Sequence, residues 1–309
     1  MKYAWGSITK SCINFGNLLI EDSLQALLRE KGFGKPSLYF DTIESNPSDI
    51  VKEINKQNFV IVPGCTTLTL EDYPGLKTVL PQIKIPIFNL GAAFAGRIFT
   101  PKLNLVRIFF QPIGSRDPFT HKYLEEHSIQ SDFIGCPTLF SGKARFFEKR
   151  NSNRIVVGLG YQKIDFQIRL IEKLIERNYE VEIIIQERNQ LRLIQHLKIK
   201  RIAYNPQAII QEIANARMVL SARLHAALPA IANGTPVFFL KTMENTRFSL
   251  LEYLDIPIYD IEDPNIESKL FQFAEGPRVN PGLTYKKVAD LKEKFSRYIE
   301  TLKKIEGLK

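Results

Sequence analysis

The apolar positions of this chain alternate between two patterns. Short runs end at a glycine or a proline: Phe59-Val60-Ile61-Val62 stops at Pro63-Gly64, Ile85-Pro86-Ile87-Phe88-Asn89-Leu90 stops at Gly91, and Ser131-Asp132-Phe133-Ile134 stops at Gly135-Cys136-Pro137. Runs of this length bounded by turn formers predict buried strands. Between them lie helical stretches such as Leu18 to Glu30, closed by Gly32, and Pro118 to His127, where Asp117 can cap and Pro118 takes the first helical position. The second half repeats the scheme. Strands are predicted over Arg154 to Val157, Val181 to Ile185, Met218 to Leu220, Val237 to Leu240 and Ile256 to Tyr259, with helices near Phe166 to Arg177, Pro206 to Asn215, Leu224 to Asn233 and Thr246 to Leu254. Strands that alternate with helices imply parallel sheets covered on both faces. At the end of the chain Val288, Leu291, Phe295, Tyr298, Leu302 and Ile305 recur three and four apart, with Lys286, Lys287, Lys292, Lys294, Lys303 and Lys304 between them. That pattern predicts an amphipathic basic helix over 283–306, which either packs across the rest of the protein or lies on an anionic membrane surface.

A chain of 309 residues exceeds one compact core and fits two domains, 1–145 and 146–309, the second carrying the tail helix. The polar stretch from Gly142 to Asn153, with Lys143, Arg145, Glu148, Lys149, Arg150, Asn151 and Ser152, is the predicted hinge. An apolar content of 44% with 24% charged residues is that of a globular protein and excludes a disordered one. The net charge of +9 points to acidic partners: phosphorylated small molecules, anionic headgroups or nucleic acid. Cys12, Cys65 and Cys136 are odd in number and lack metal-type spacing, so neither a disulfide framework nor a metal site is expected. The N-terminus has no apolar h-region, and the weakly polar run from Ile85 to Gly96 is too short to span a bilayer; the expected location is the cytoplasm.

Doubly wound domains bind ligands outside the carboxyl ends of their strands. In the first half the polar residues there are Asn14-Phe15-Gly16-Asn17 with Glu21 and Asp22, then Gly64-Cys65-Thr66-Thr67, Asn89 with Gly91, and Ser115-Arg116-Asp117. In the second they are Gly158-Leu159-Gly160, Gln186-Glu187-Arg188, Arg223 with His225, and Lys241 to Arg247. The most informative segment is Arg223-Leu224-His225-Ala226-Ala227, followed by Gly234-Thr235-Pro236. It sets Arg223 and His225 at the start of a helix whose positive end faces the sheet edge, so a fork of donors for an anion stands beside a group poised to move a proton near neutral pH. A surface arginine and a packed histidine would give the same letters, and the remaining segments must decide. Asp117 is explained as a helix cap by the proline after it, whereas Arg116 has no helix partner and is expected in the cleft, outside the core.

Asn14-Phe15-Gly16-Asn17 with Asp22, Pro63-Gly64-Cys65-Thr66-Thr67, Arg116-Asp117-Pro118-Phe119-Thr120, Gly135-Cys136-Pro137, and Arg223-Leu224-His225 through Gly234-Thr235-Pro236 together resemble, in order and spacing, the polysaccharide pyruvyl transferase family over roughly residues 1 to 260. The resemblance implies two Rossmann-like doubly wound domains in a GT-B-like arrangement. It also implies transfer of pyruvate from phosphoenolpyruvate to a sugar as a ketal, with release of phosphate and no cofactor or metal. On the motif match, Arg116, Arg223 and His225 become the phosphoenolpyruvate-binding and catalytic positions, with Asn14, Gly16, Asn17, Gly64, Thr66, Thr67, Asn89, Gly158, Lys241 and Arg247 as further substrate-binding candidates. Two departures are visible: Asn17 stands where the family usually has Asp, and the glycine-rich second loop is reduced to Gly64-Cys65-Thr66-Thr67. The implied acceptor is a sugar, nucleotide sugar or lipid-linked glycan, the last with peripheral contact at the inner face of a membrane. A GT-B-like glycosyltransferase using a nucleotide-sugar donor is the alternative. Nucleic acid is not an expected partner, since no helix-turn-helix or aromatic RNA-binding motif is present.

Overall fold

The computed structural model describes residues 2–9, 14–44, 47–95, 103–142, 153–185, 190, 192, 194–197, 199–202, 205–276 and 281–306. The predicted hinge residues 143–152, the segment Gln186-Glu187-Arg188 and Cys12 lie outside them. The first sheet contains β1 (Tyr3–Ser7), β2 (Leu38–Asp41), β3 (Phe59–Pro63), β4 (Ile87–Ala92), β5 (Ile113–Ser115) and β6 (Ser131–Phe133), all parallel, in the order β2-β1-β3-β4-β5-β6. The second contains β7 (Arg154–Gly158), β8 (Glu180–Ile184), β9 (Lys200–Ile202), β10 (Met218–Ser221), β11 (Val237–Lys241) and β12 (Ile258–Asp260), again all parallel, in the order β12-β11-β10-β7-β8-β9. Both are doubly wound. The strand order reverses between β1 and β3 in the first sheet and between β7 and β10 in the second, and these two positions are where such sheets open a crevice.

Four of these strands, β1, β2, β5 and β9, were not among the predicted ones. Tyr3-Ala4-Trp5-Gly6-Ser7 has no aliphatic run to mark it, yet all five residues are buried in the middle of the first sheet. Gly6 belongs to the packing: a Cβ there would stand 3.0 Å from the Phe40 ring and 3.1 Å from Thr42 Cγ2.

One apolar core joins the domains. Val156, Val219 and Phe239 of the second sheet share a cluster with the first sheet and with helix Leu224–Ala232, while Ile155, Val157, Met218, Leu220, Phe238 and Leu240 belong to a separate cluster. Period-two alternation thus gives the second sheet two buried faces. Every residue of helix Leu224–Ala232 is buried, and the helix packs against helix Phe15–Glu30 of the first domain. Its end follows the predicted chemistry. Gly234 takes φ +68°, with the Gly234 amide on the Ile231 carbonyl at 3.1 Å and the Thr235 amide on the Ala230 carbonyl at 2.8 Å.

The tail helix Pro281–Glu306 crosses between the domains. Thr284 Oγ1 donates to the Leu254 carbonyl at 3.0 Å in the second domain, and further along Tyr298 Oη donates to the Pro112 carbonyl at 2.6 Å in the first. Leu291, Phe295, Tyr298 and Leu302 are buried in the joint core, so protein covers the apolar stripe. Lys287, Lys294 and Lys303 are ion-paired with Asp255, Asp290 and Glu300. No helix among the described residues is long and apolar enough to cross a membrane.

Candidate active site

The two reversal points face each other across a cavity of about 320 Å³. From the first domain it is lined by Asn14, Asn17, Ile43, Cys65, Thr66, Asp72, Tyr73 and Ala95. The second domain contributes the loop after β7 through Tyr161, the loop after β10 through Ala222, Arg223, Leu224 and His225, and the loop after β11 through Thr242, Met243, Asn245, Arg247 and Phe248.

Two helix starts converge on this cavity. Asn14 caps helix Phe15–Glu30, its Oδ1 accepting from the Gly16 amide at 2.9 Å. Arg223 is the N-cap residue of helix Leu224–Ala232, and its own amide donates to Ser221 Oγ at 2.9 Å. Its Nε donates to the Leu159 carbonyl at 2.7 Å, and its guanidinium lies 3.4 Å above the centre of the Tyr161 ring. Both helices aim the positive ends of their dipoles at the same volume. The second helix starts at a bare approach to the first: a Cβ on Gly16 would stand 2.2 Å from His225 Nδ1. Only glycine leaves room for the imidazole.

His225 is 7% exposed, and its Nε2 is buried without a hydrogen-bond partner among the described residues. Burial, and then the charges of Arg116, Arg247 and Arg223, push it well below the ordinary imidazole range. The sequence suggested a group poised near neutral pH; in the structure burial of the ring, and then three arginine charges, disfavour its protonated form. Arg247 is set by Asn245, whose Oδ1 accepts from the Arg247 amide at 3.1 Å and from its Nε at 2.9 Å. Burial and the Arg116 charge lower the proton affinity of Arg247 as well.

Arg116 corrects the expectation of a cleft arginine. It is fully buried beside the cavity, which it does not line, and its Nε, Nη1 and Nη2 have no hydrogen-bond partner among the described residues. Asp117 Oδ2 is 3.8 Å from its Nε. Burial raises the Asp117 carboxyl against the opposing pull of Arg116, while Oδ1 caps its helix by accepting from the Thr120 amide at 2.9 Å. A guanidinium so placed is costly unless something offsets it.

The structure therefore gathers Asn14, Asn17, Thr66, Arg223, His225 and Arg247 around one cavity, with Gly16 against His225 and Arg116 behind. Other candidates fall elsewhere. Thr67 and Asn89 are fully buried and hydrogen-bonded to each other. At Gly64 a Cβ would meet the Leu90 carbonyl at 2.1 Å, which explains the glycine by packing. The Gly158 carbonyl accepts from the Ala222 amide at 3.1 Å within the second sheet's edge, and Lys241 is ion-paired with Glu244 and Asp260 at 2.8 and 3.0 Å. Sequence reasoning passed over Tyr161, Asp72 and Tyr73. Tyr161 follows Gly158-Leu159-Gly160 at a strand end, so its place was signalled; Asp72 ends a short turn of helix, Leu70–Asp72, that no periodicity marks, and Tyr73 comes directly after it. Cys65 lines the cavity too, its thiol donating to Asn17 Oδ1 at 3.2 Å. Among the described residues no three His, Cys, Asp or Glu side chains gather as a metal site.

The family model described as polysaccharide pyruvyl transferase matches residues 14–242, a span that runs from Asn14 through Arg223 and His225. No curated protein matches the chain. Among solved structures, the chain is similar to UDP-GlcNAc 2-epimerase from Neisseria meningitidis bound to UDP-GlcNAc, with 16% identity, TM-score 0.62, and 98% of this chain and 100% of that one covered. It is also similar to the S. aureus MnaA–UDP co-structure, with 11% identity, TM-score 0.61, and 92% and 90% covered. For UDP-GlcNAc 2-epimerase from Methanocaldococcus jannaschii in complex with UDP-GlcNAc and UDP, the values are 14%, 0.57, and 94% and 99%. At these identities the likeness establishes the fold: two Rossmann-like domains in a GT-B-like arrangement.

Proposed function

Because the chain belongs to the polysaccharide pyruvyl transferase family and is thus a transferase, we propose that it moves pyruvate from phosphoenolpyruvate onto two hydroxyls of a sugar, with the cavity between the reversal points as donor site. The observation that carries this reading is the set of three arginines around a buried neutral histidine at two converging helix starts. Phosphoenolpyruvate bears a phosphate and a carboxylate, and guanidinium forks with helix N-termini suit both. A cavity of about 320 Å³ lies at the lower end of the roughly 300–1,000 Å³ typical of small-ligand sites. Held at both ends, the donor presents its central carbon in a fixed place.

His225 is the proton carrier of this scheme. Its neutral ring is the base that accepts the first proton. Arrival of the donor's negative charges offsets the arginines that depress it, which raises its proton affinity when a proton must be held. The first sugar hydroxyl gives its proton to His225 as its oxygen adds to the central carbon, and His225 passes that proton to the methylene carbon, which becomes the methyl; phosphate then leaves with the C–O electrons, and the second hydroxyl closes the ketal as its proton goes to the departing phosphate. The donor carries its own activated group, so no cofactor enters. The acceptor is a sugar of a polysaccharide or glycan precursor, nucleotide- or lipid-linked. Supply of phosphoenolpyruvate puts the reaction in the cytoplasm, at the inner membrane face where the acceptor is a lipid.

Incubation with labelled phosphoenolpyruvate and a panel of such acceptors, read by mass spectrometry and phosphate release, tests the reading. A ketal-bearing product supports it. The related fold is seen with UDP-GlcNAc in the Neisseria meningitidis epimerase structure, and an acceptor that instead gains a sugar from a nucleotide-sugar donor would replace this reading with a glycosyltransferase.

A further inference from the structure

The geometry points to Tyr161 as the residue that positions Arg223 for an anionic ligand, held in place for that task by Asn14 from the opposite domain. The inference rests on the donor-site reading only in naming phosphoenolpyruvate as one of the anions. Arg223 carries a long side chain with many rotamers, yet its fork is held: Nε donates to the Leu159 carbonyl at 2.7 Å, and the guanidinium sits 3.4 Å over the centre of the Tyr161 ring. One contact sets the direction of the fork and the other the face it lies on. A cation stacked on an aromatic ring is bound through the ring's quadrupole, and a fork fixed before the ligand arrives loses less entropy on binding.

Tyr161 is 52% exposed, so the apolar core does not hold it. A hydrogen bond across the cleft ties it down: Asn14 Nδ2 donates to Tyr161 Oη at 3.0 Å, while Asn14 Oδ1 caps the helix that carries Gly16 against His225. The contacts close a ring through both domains, from Asn14 to Tyr161 to Arg223, along the helix to His225, and back through Gly16. The first domain thus contributes, through Asn14, to the place of the ring on which Arg223 lies.

The test measures binding of inorganic phosphate and of phosphoenolpyruvate, separately, to the full chain by calorimetry at low salt, with melting curves beside them. Tyr161→Phe keeps the ring and loses the bond to Asn14, and is expected to weaken both anions by about 2- to 5-fold. Tyr161→Ala loses both contacts and is expected to weaken them by about 10- to 50-fold, with the melting midpoint within a degree or two of wild type because the ring is half exposed. A Tyr161→Ala protein that binds both anions within twofold of wild type overturns the proposal. So does a Phe variant as impaired as the Ala variant, since the stacked ring would then contribute nothing. Wild-type protein that binds phosphate but not phosphoenolpyruvate defeats the donor reading alone, and the Tyr161 series on phosphate still decides this one. Wild-type protein that binds neither anion overturns both.

Discussion

Gly16→Ala puts the proposed mechanism under the most direct strain. The added methyl would stand 2.2 Å from His225 Nδ1, 2.8 Å from Cγ and 2.9 Å from Cβ, where ordinary contact begins at about 3.4 Å. Rotating the imidazole cannot relieve this, because the His225 Cβ is itself too close. Nor can the helix behind it recede, since every residue of Leu224–Ala232 is buried. The ring must move by about 1 Å, a displacement that costs on the order of 100-fold in rate for a group that has to meet a reacting atom. Stability should change far less. Overpacking costs about 1–3 kcal/mol, and replacing glycine by alanine within helix Phe15–Glu30 returns up to about 1 kcal/mol, so a net loss of about 0–2 kcal/mol is expected. The assay is single-turnover ketal formation from phosphoenolpyruvate, with denaturant unfolding of the same preparation. A Gly16→Ala protein with the wild-type rate would refute the reasoning, because it would mean that the position of His225 has no bearing on the chemistry.

Arg223→Lys keeps the charge but loses the planar fork and its stacking on Tyr161, so the KM for phosphoenolpyruvate should rise about tenfold or more; an unchanged KM in steady-state kinetics would end the case for fork recognition. Arg116→Ala should destabilise the fold by about 3–5 kcal/mol, because it empties a fully buried site and strands the Asp117 carboxylate; urea unfolding reads this, and a wild-type midpoint would contradict it. Adding Asp117→Asn should recover part of the loss. The depressed His225 also gives stability a pH signature. The native state keeps it neutral while the unfolded chain protonates it near pH 6.5, so its contribution is complete above that pH and declines by about 1.4 kcal/mol per unit as the pH falls toward the native value. The difference in unfolding free energy between wild type and His225→Asn, followed from pH 8 to pH 5, should be flat above 7 and shift against the wild type below 6.5; a flat difference throughout would show that the ring is not held neutral.

The alternation of apolar runs with helical spacing was enough to read two parallel α/β units and a tail helix, because each rests on local periodicity. Helix Leu224–Ala232 was legible to its last turn, since Gly234 and Pro236 have one common explanation. β1 was not, because Tyr3-Ala4-Trp5-Gly6-Ser7 owes its burial to neighbours supplied from Leu38–Asp41 and Phe59–Pro63. The candidate site divides the same way. Strand ends show which residues reach the carboxyl edge, and so Arg223, His225, Asn14 and Arg247 could be named in advance. They do not show which way a side chain turns there. Thr67 and Asn89 turned toward each other, Lys241 toward Glu244 and Asp260, and Arg116 into the interior. The contacts of Tyr161 with Asn14 and Arg223 come from the other domain and from another strand end, which no local pattern reveals.

Electrostatics links the fold to the chemistry. Three arginines and two helix starts concentrate positive potential on one small volume; the Asp117 carboxylate opposes the charges of Arg116 and Arg247, and Asp72 opposes that of Arg247. Both of these are displaced upward in proton affinity by burial, so neither is a strong counterweight. The joint apolar core has to hold this arrangement together against its own repulsion, and it does so by burying helix Leu224–Ala232 completely and strapping both domains with the tail helix. The imbalance that the core tolerates is what an anionic ligand would relieve, and the relief reaches His225, which burial first and then the same charges push toward the neutral state. In the proposed reaction, binding and proton affinity are thereby coupled through one set of side chains: a ligand that satisfies the arginines lifts their share of the downward push on His225, while the larger share, due to burial, stays.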